Sequence, residues 1–308
     1  MVMNRVTAAK DRPHGSGSPG RSGPRHHISL PPSPPPRPVT RAVEGPGATA
    51  LAGTRRDGAG HRPIPRTARS PSSPRPAGRK SAIIYCEANF GGADGKTANG
   101  LVRHSERYEI LAVIDSEKAG LDAGVVLGDG PNDVPIRRDV AEALACADRT
   151  PDYFIIGIAP ATGLLSPRQR RVVLEAMALG MNVVNGLHEF LNDDPEFRAM
   201  GVANDVEIVD VRRPRAKRDL RIFSGRLAEV TCPRIAVLGT DCAIGKRTTA
   251  TILTRALNDR GVRTVLVGTG QTGLIQGARY GVALDAIPSQ FCSGELEATI
   301  VDAFERER

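Results

Sequence analysis

The sequence contains no run of about 18 consecutive apolar residues, the length that a helix needs to cross a membrane. It also lacks a hydrophobic segment of signal-peptide length in its N-terminal tail, and its five cysteines form no CxxC pair. An odd number of widely spaced cysteines is typical of reduced thiols that fill a core. We therefore expect a cytoplasmic protein with no membrane contact, no disulfide framework and no metal site.

Acidic residues are scarce in residues 1–80, which hold 15 Lys and Arg, 3 Asp and Glu, and 15 of the 24 prolines. The few apolar residues of this tail cannot offset an ordering cost of about 1–2 kcal/mol per residue, so its composition predicts disorder. Three interpretations stay open: a flexible appendage, sequence translated upstream of the true start, or a basic arm for nucleic acid or anionic membranes.

The rest of the chain has a different charge balance. Residues 81–308 hold 27 basic and 31 acidic residues. Because a nucleic-acid-binding domain ordinarily carries a basic surface, we expect no nucleic-acid partner for the folded part.

Strand and helix patterns alternate through residues 81–230, which predicts a Rossmann-like domain with a parallel sheet. It begins with strand Ser81–Cys86, a glycine-rich turn, helix Thr97–Glu106 and strand Glu109–Asp115. The turn lacks the G-x-G-x-x-G fingerprint, which argues against NAD binding. We accordingly interpret Asp115 as a carboxylate that begins a loop.

The alternation continues to the end of this domain. Two further helices and two further strands are predicted: Val140–Ala147, Ser166–Leu179, Asp152–Ile158 and Met181–Asn185. Ser166 and Gln169 have the spacing of a capping box, and Gly180 is suited to the left-handed residue that ends the helix.

A polar segment follows strand Met181–Asn185. Ligands of open α/β sheets collect at the carboxyl ends of the strands, so Asn185 is a candidate substrate ligand. His188 and Glu189 are candidates for a catalytic acid/base pair. The alternative is a helix start, in which Glu189 only interacts favourably with the helix dipole.

A phosphate-binding P-loop is predicted at Gly239–Thr249, at the start of a second α/β domain over residues 231–308. The loop lies between a buried-strand pattern, Arg234–Leu238, and a helix that Gly261 ends. Its glycines let backbone N–H groups turn toward phosphate oxygens, and the helix N-terminus adds positive charge. The predicted phosphate ligands are Gly239, Thr240, Asp241, Gly245, Lys246, Arg247, Thr248 and Thr249.

The loop departs from the usual Walker pattern in two ways. Five residues, one more than usual, separate Gly239 from Gly245 and Lys246, a spacing that resembles the dethiobiotin synthetase group. Arg247 stands where a Ser or Thr usually holds Mg²⁺, which argues against ATP hydrolysis. The loop could hold ATP with Mg²⁺, or the phosphates of another adenine carrier such as coenzyme A.

Five motifs in residues 81–308 together resemble a bacterial domain-of-unknown-function family, often labelled NAD-dependent epimerase/dehydratase. They are Gly92–Ala98, Gly180–Glu189, Asp193–Pro195, Gly239–Thr249 and Gly268–Gly273. The family pairs a Rossmann-like N-terminal domain with a P-loop C-terminal domain, and one member is a D-glutamate N-acetyltransferase. The resemblance implies acetyl-CoA as cofactor, with Lys246 on its phosphates.

The resemblance also implies a place for the amino-acid substrate, near Asn185–Glu189 or Gly268–Gly273. Gly270, Gln271 and Thr272 are the candidates in the second segment.

The family's C-terminal domain continues beyond residue 308, so the resemblance implies that this domain is incomplete here. Residues 234–308 supply two clear strands, the second at Arg263–Val267, and Val301–Arg308 is predicted to be a helix. Three functions stay open: D-amino acid N-acetyl transfer, an ATP-dependent ligase or kinase-like activity, and a non-catalytic nucleotide-binding remnant. We expect a small-molecule substrate and a homo-oligomer.

Overall fold

The computed structural model describes residues 2–4, 79–160, 162–241 and 244–307. The tail predicted to be disordered therefore lies almost entirely outside the described residues. Two parts of it are described: Val2–Asn4, which forms a strand, and residues 79–80, of which Lys80 begins the next strand. The backbone of Val2–Asn4 pairs with strands on both sides.

Strands and helices alternate through the described residues. The strands are β1 (Val2–Asn4), β2 (Lys80–Tyr85), β3 (Tyr108–Ile114), β4 (Ile136–Arg137), β5 (Tyr153–Ile156), β6 (Asn182–Asn185), β7 (Ile208–Asp210), β8 (Arg234–Ile235), β9 (Thr264–Gly268) and β10 (Tyr280–Gly281). The α-helices are α1 (Lys96–Arg103), α2 (Ala123–Val126), α3 (Val140–Leu144), α4 (Pro167–Ala178), α5 (Pro195–Asn204), α6 (Lys246–Asp259), α7 (Gln271–Gln276) and α8 (Ser289–Arg306).

The first sheet has six parallel strands in the order β4-β3-β2-β5-β6-β7. Numbered within the domain, this order is 3-2-1-4-5-6, that of the doubly wound Rossmann fold. The central strands are buried along their length, with Ile83 and Ile84 of β2 and Phe154 and Ile155 of β5 fully inaccessible. The prediction of a Rossmann-like parallel sheet is confirmed.

Helix α4 has the ends that its sequence predicts. The Ser166 side chain accepts a hydrogen bond from the Gln169 backbone, and the Gln169 side chain accepts one from the Ser166 backbone. Gly180 follows the helix with φ +83°, a left-handed conformation that glycine adopts without strain. The capping box and the glycine stop are both confirmed.

The second sheet has the order β10-β9-β1-β8. Strand β10 is parallel to β9, and β1 is antiparallel to both β8 and β9, so β8 and β9 run in the same direction. The prediction of a buried strand over Arg234–Leu238 is wrong: only Arg234–Ile235 forms a strand, and Leu238 is 84% exposed. In the part of the chain that the structure describes, β8 is an edge strand, which leaves one side of it uncovered.

Helix α6 begins at the predicted P-loop and is followed by Gly261, with φ +75°, as its sequence predicts. Its sequence places Ile252, Leu253, Ala256 and Leu257 on one face, but the buried face of the helix differs from this stripe. Ala250 and Thr251 are buried, whereas Ile252 is 53% exposed. The packing of α6 against β9 decides which face is covered, and periodicity alone could not indicate it.

Helix α8 fixes the segment that joins the two sheets. Glu295 accepts the backbone N–H of Arg221 at 2.7 Å, and Glu297 accepts those of Ser224 at 2.7 Å and Leu227 at 3.0 Å. Both carboxylates are buried. The helix predicted at Val301–Arg308 is thus the last part of a longer element with a structural role.

The thiols of Cys86, Cys146, Cys232 and Cys292 are free. Cys86 is fully buried, and burial, followed by the charge of Asp115, raises the pKa of its thiol. No helix in the described ranges is long and apolar enough to cross a membrane.

Candidate phosphate and substrate site

The turn after β2 is fixed by hydrogen bonds to the carboxylate of Asp115. The buried Asp115 carboxylate accepts the backbone N–H groups of Ala88 at 3.2 Å and Phe90 at 3.0 Å. In dinucleotide-binding domains an acidic residue near this place binds the ribose. Here the carboxylate is occupied by the loop itself, in agreement with its interpretation as a loop residue.

The P-loop holds its lysine at the N-terminus of α6. Gly245 caps the helix with φ +92°, and Lys246 is the first helical residue. The Lys246 ammonium donates to the backbone carbonyl of Asp241. A Cβ on Gly239 would lie 2.5 Å from Ile244 Cδ1 and 2.9 Å from Lys246 Cδ, so both side chains pack over the start of the loop.

Backbone N–H groups at the start of α6 complete the candidate phosphate site of the P-loop. The N–H of Thr249 donates to the carbonyl of Gly245 at 2.9 Å and starts the ladder of α6. The N–H groups of Lys246, Arg247 and Thr248 precede that bond, and such groups are the usual phosphate ligands at a helix N-terminus. Thr240 is exposed at the loop's start. These features fit a bound phosphate group.

Arg247 points into the contact between the two sheets' helices. Its guanidinium donates to Gln276 Oε1 at 3.0 Å, and a Cβ on Gly100 would lie 2.5 Å from it. Gln276 in turn donates to the carbonyls of Gly100 at 2.6 Å and His104 at 2.7 Å. Burial, followed by the charge of Arg103, lowers the pKa of Arg247. Arg247 therefore joins α6 and α7 to α1.

Three of the sequence motifs meet beside this contact. Thr97 Oγ1 lies 2.9 Å from Thr272 Oγ1, in a buried hydrogen bond between Gly92–Ala98 and the N-terminal turn of α7. A Cβ on Gly186 would lie 3.4 Å from Gln271 Cγ. The carboxyl end of β6 is thus in contact with the segment that follows β9.

The candidates in the second segment differ in accessibility. Gln271 and Thr272 are buried, whereas a Cβ on Gly270 would meet no atom within 4 Å. Gly270 therefore leaves open space in front of the N-terminus of α7.

Asn185 is fully buried, and its amide is satisfied by the protein. Its nitrogen donates to the carbonyl of Glu189 at 2.6 Å and to Asp210 at 2.8 Å, and its oxygen accepts from the backbone N–H of Leu187 at 3.0 Å. Through these hydrogen bonds, the Asn185 side chain fixes the conformation of the turn after β6.

His188 and Glu189 diverge from each other. Glu189 accepts the backbone N–H of Leu165 at 2.9 Å and lies 3.6 Å from Arg170. His188 is exposed and packs beside Gly163. Since no hydrogen bond joins the two side chains in the described structure, only His188 presents an uncommitted side chain.

Asp210 organises the same turn, and sequence reasoning did not identify it. Its buried carboxylate accepts from Asn185, from the backbone N–H of Leu191 at 3.0 Å, and from the backbone and side chain of Asn192 at 3.1 and 2.9 Å. Burial would raise its pKa, but these hydrogen bonds outweigh burial and lower it. Its position as the last residue of a short strand, after Ile208 and Val209, was the available signal.

Asp210 should make the stability of the protein depend on acid pH. A carboxyl whose pKa is depressed by folding stabilises the protein above its unfolded pKa of about 3.9, and this contribution is lost as pH falls through the folded pKa. We expect Asp210→Asn to lower the free energy of unfolding by about 1–3 kcal/mol at pH 7. Urea unfolding should show the difference from wild type shrinking below about pH 4, and a constant difference would contradict this role.

No group of three or more His, Cys, Asp or Glu side chains in the described ranges is arranged to hold a metal ion.

Two family models match the chain. The model described as domain of unknown function (DUF1611_N) Rossmann-like domain matches residues 116–214, and the one described as domain of unknown function (DUF1611_C) P-loop domain matches residues 221–308. The two ranges together cover more than half of the chain.

Two similar proteins have a named activity, and a third similar protein has a solved structure. A D-glutamate N-acetyltransferase from Tritonibacter scottomollicae is 33% identical over 157 residues, 51% of this chain and 44% of the relative. One from a Pseudoalteromonas species is 31% identical over 153 residues, 49% of this chain and 44% of the relative. The chain thus matches under half the length of these relatives. The crystal structure of a DUF1611 family protein from Anabaena variabilis is 34% identical with a TM-score of 0.67, covering 74% of this chain and 64% of that one.

Proposed function

Because the chain belongs to the DUF1611 family, with both of its domains, we propose that it transfers an acetyl group from acetyl-CoA to the amine of a D-amino acid of the D-glutamate type. The names of the two curated relatives support this reaction. In the proposal, the P-loop binds the phosphates of the cofactor, and the amino acid binds where the segments after β6 and β9 meet.

The observation that carries the choice of cofactor is the direction of Arg247. In a Walker P-loop, the residue after the lysine is a hydroxyl that binds Mg²⁺. Here that residue is bound to Gln276 and packed on Gly100, so it cannot supply a metal ligand. A P-loop that keeps its lysine and the helix N-terminus but lacks this hydroxyl suits a cofactor whose phosphates are bound and not hydrolysed.

The proposed reaction is an acyl transfer. Bound acetyl-CoA supplies a thioester, whose C–S bond breaks as the amine forms the new C–N bond and the thiol leaves with a proton. Lys246 and the N-terminal amides of α6 hold the phosphates by charge and hydrogen bonds. The attacking ammonium must first lose a proton. Of the two candidates, His188 is the one proposed as this base, because its imidazole is exposed and Glu189 is committed elsewhere.

Calorimetric titration of the full chain distinguishes the cofactors. We expect acetyl-CoA to bind with or without Mg²⁺, and ATP to gain no affinity from Mg²⁺ because the metal-binding hydroxyl is absent. Mg²⁺-dependent ATP binding with phosphate release would favour a ligase or kinase-like enzyme. If neither ligand binds to folded protein, the non-catalytic alternative is correct and the proposal fails.

A further inference from the structure

A cavity of about 360 Å³ lies at the carboxyl ends of β7 and β10, against α8. Six arginines line it: Arg212, Arg213, Arg215, Arg221, Arg279 and Arg306. Two carboxylates, Glu295 and Asp302, also line it. The wall is thus rich in positive charge.

Four of the six arginines have close carboxylate partners. Arg221 forms two hydrogen bonds of 3.1 Å with Glu295. The other three pairs are Arg212 with Asp285, Arg213 with Asp210 and Arg279 with Glu307. These guanidinium groups shape the wall but bring little uncompensated charge.

Arg215 and Arg306 differ from these four. Arg306 is exposed and forms no ion pair within the described residues. The nearest carboxylate of Arg215 is Glu295, at 3.9 Å, and Arg221 already holds that group. The cavity therefore has two guanidinium groups without a close carboxylate partner, and Asp302, 4.0 Å from Arg221, offsets part of their charge.

The cavity adjoins the proposed substrate site. Arg212 donates to the backbone carbonyl of Gly186 at 2.7 Å, directly after β6. Leu274 of α7 lines the cavity, and the same helix contacts Gly186 through Gln271. A small molecule in the cavity would lie next to the segments that the proposed reaction uses.

We propose that this cavity binds the carboxylates of an acidic amino acid and that Arg215 and Arg306 select for them; the inference rests on the proposed function. Small-molecule sites span about 300–1,000 Å³, so this cavity suits a small metabolite better than a whole coenzyme A. The planar fork of arginine matches a carboxylate with two parallel hydrogen bonds. In this proposal, the two carboxylates of a dicarboxylic amino acid bind these two guanidinium groups.

The test is calorimetric titration of the full chain, without acetyl-CoA, using D-glutamate and glutarate as probes. Glutarate carries both carboxylates but has no amine to acetylate. We expect both to bind, and Arg215→Gln combined with Arg306→Gln to weaken each about tenfold or more. Arg218→Gln is the matched control, because Arg218 lies in the same segment, is 88% exposed and is not part of the cavity wall.

The outcomes separate this inference from the proposed function. Acetylation of D-glutamate with an unchanged KM in the double variant would overturn the inference and leave the reaction intact. Arginine-dependent binding of glutarate without any acetylation would support the cavity while the proposed reaction fails. If the double variant instead no longer binds acetyl-CoA or inorganic phosphate but still binds D-glutamate, the cavity binds the cofactor and the inference is wrong.

Discussion

Lys246→Met is expected to weaken acetyl-CoA binding by about 10- to 150-fold, the effect of losing one hydrogen bond to a charged group worth about 1.5–3 kcal/mol. Methionine keeps an unbranched stem of similar length, so the packing over Gly239 should survive while the charge is lost. Calorimetric titration measures the change in Kd, and thermal unfolding should show an unchanged Tm.

The matched control is Arg260→Met, at the other end of the same helix. Arg260 follows α6 about 20 Å from Lys246 and donates to the carbonyl of Ala256. The Arg260→Met substitution removes the same unit charge and does not alter the P-loop, so the affinity for acetyl-CoA should stay near that of wild type. Equal losses in both variants would indicate a general effect of charge, and no loss in Lys246→Met would remove the lysine from the site.

Gly294→Ala is expected to lower the free energy of unfolding by about 2–3 kcal/mol, in the upper part of the range for overpacked positions. A Cβ at Gly294 would lie 2.2 Å from the carbonyl oxygen of Arg221 and 2.4 Å from the carbonyl carbon of Ile222. These are backbone atoms, and the hydrogen bonds to Glu295 and Glu297 prevent the segment from moving away. Helix α8 and the joining segment would have to separate.

Urea unfolding measures this effect, with Ser293→Ala as the control. Ser293 is the preceding residue of α8 and is exposed, so its replacement should change the unfolding free energy by at most about 0.5 kcal/mol. An unchanged unfolding midpoint in Gly294→Ala would show that the segment does not lie against α8.

Features fixed by neighbours in the chain could be predicted from the sequence. The Ser166–Gln169 capping box, the left-handed Gly180 and the stop at Gly261 each depend on a few adjacent residues, and all three were predicted. The same is true of the P-loop's Gly245 and Lys246, which lie at the start of α6 as expected.

Features fixed by distant contacts could not be predicted. Nothing local indicates that Thr97 pairs with Thr272, or that Arg247 joins α6 to α1. The exposure of Ile252 depends on what covers α6, which its own periodicity does not reveal.

The substrate candidates show the same limit. Asn185 was predicted from its place at the end of a strand, and that place is correct. Its burial follows from a hydrogen-bond network centred on Asp210, which lies 25 residues later in the chain. The sequence around Asn185 does not indicate this network. Asp210 thereby supports the turn that carries His188.

The proposed reaction is tested most directly by incubating the purified full chain with acetyl-CoA and D-glutamate and following both the released thiol and the mass of the amino-acid product. We expect equal amounts of free coenzyme A and N-acetylated glutamate, with formation of both strongly reduced in Lys246→Met. Folded protein that binds acetyl-CoA but releases no thiol with any acidic D-amino acid would contradict it.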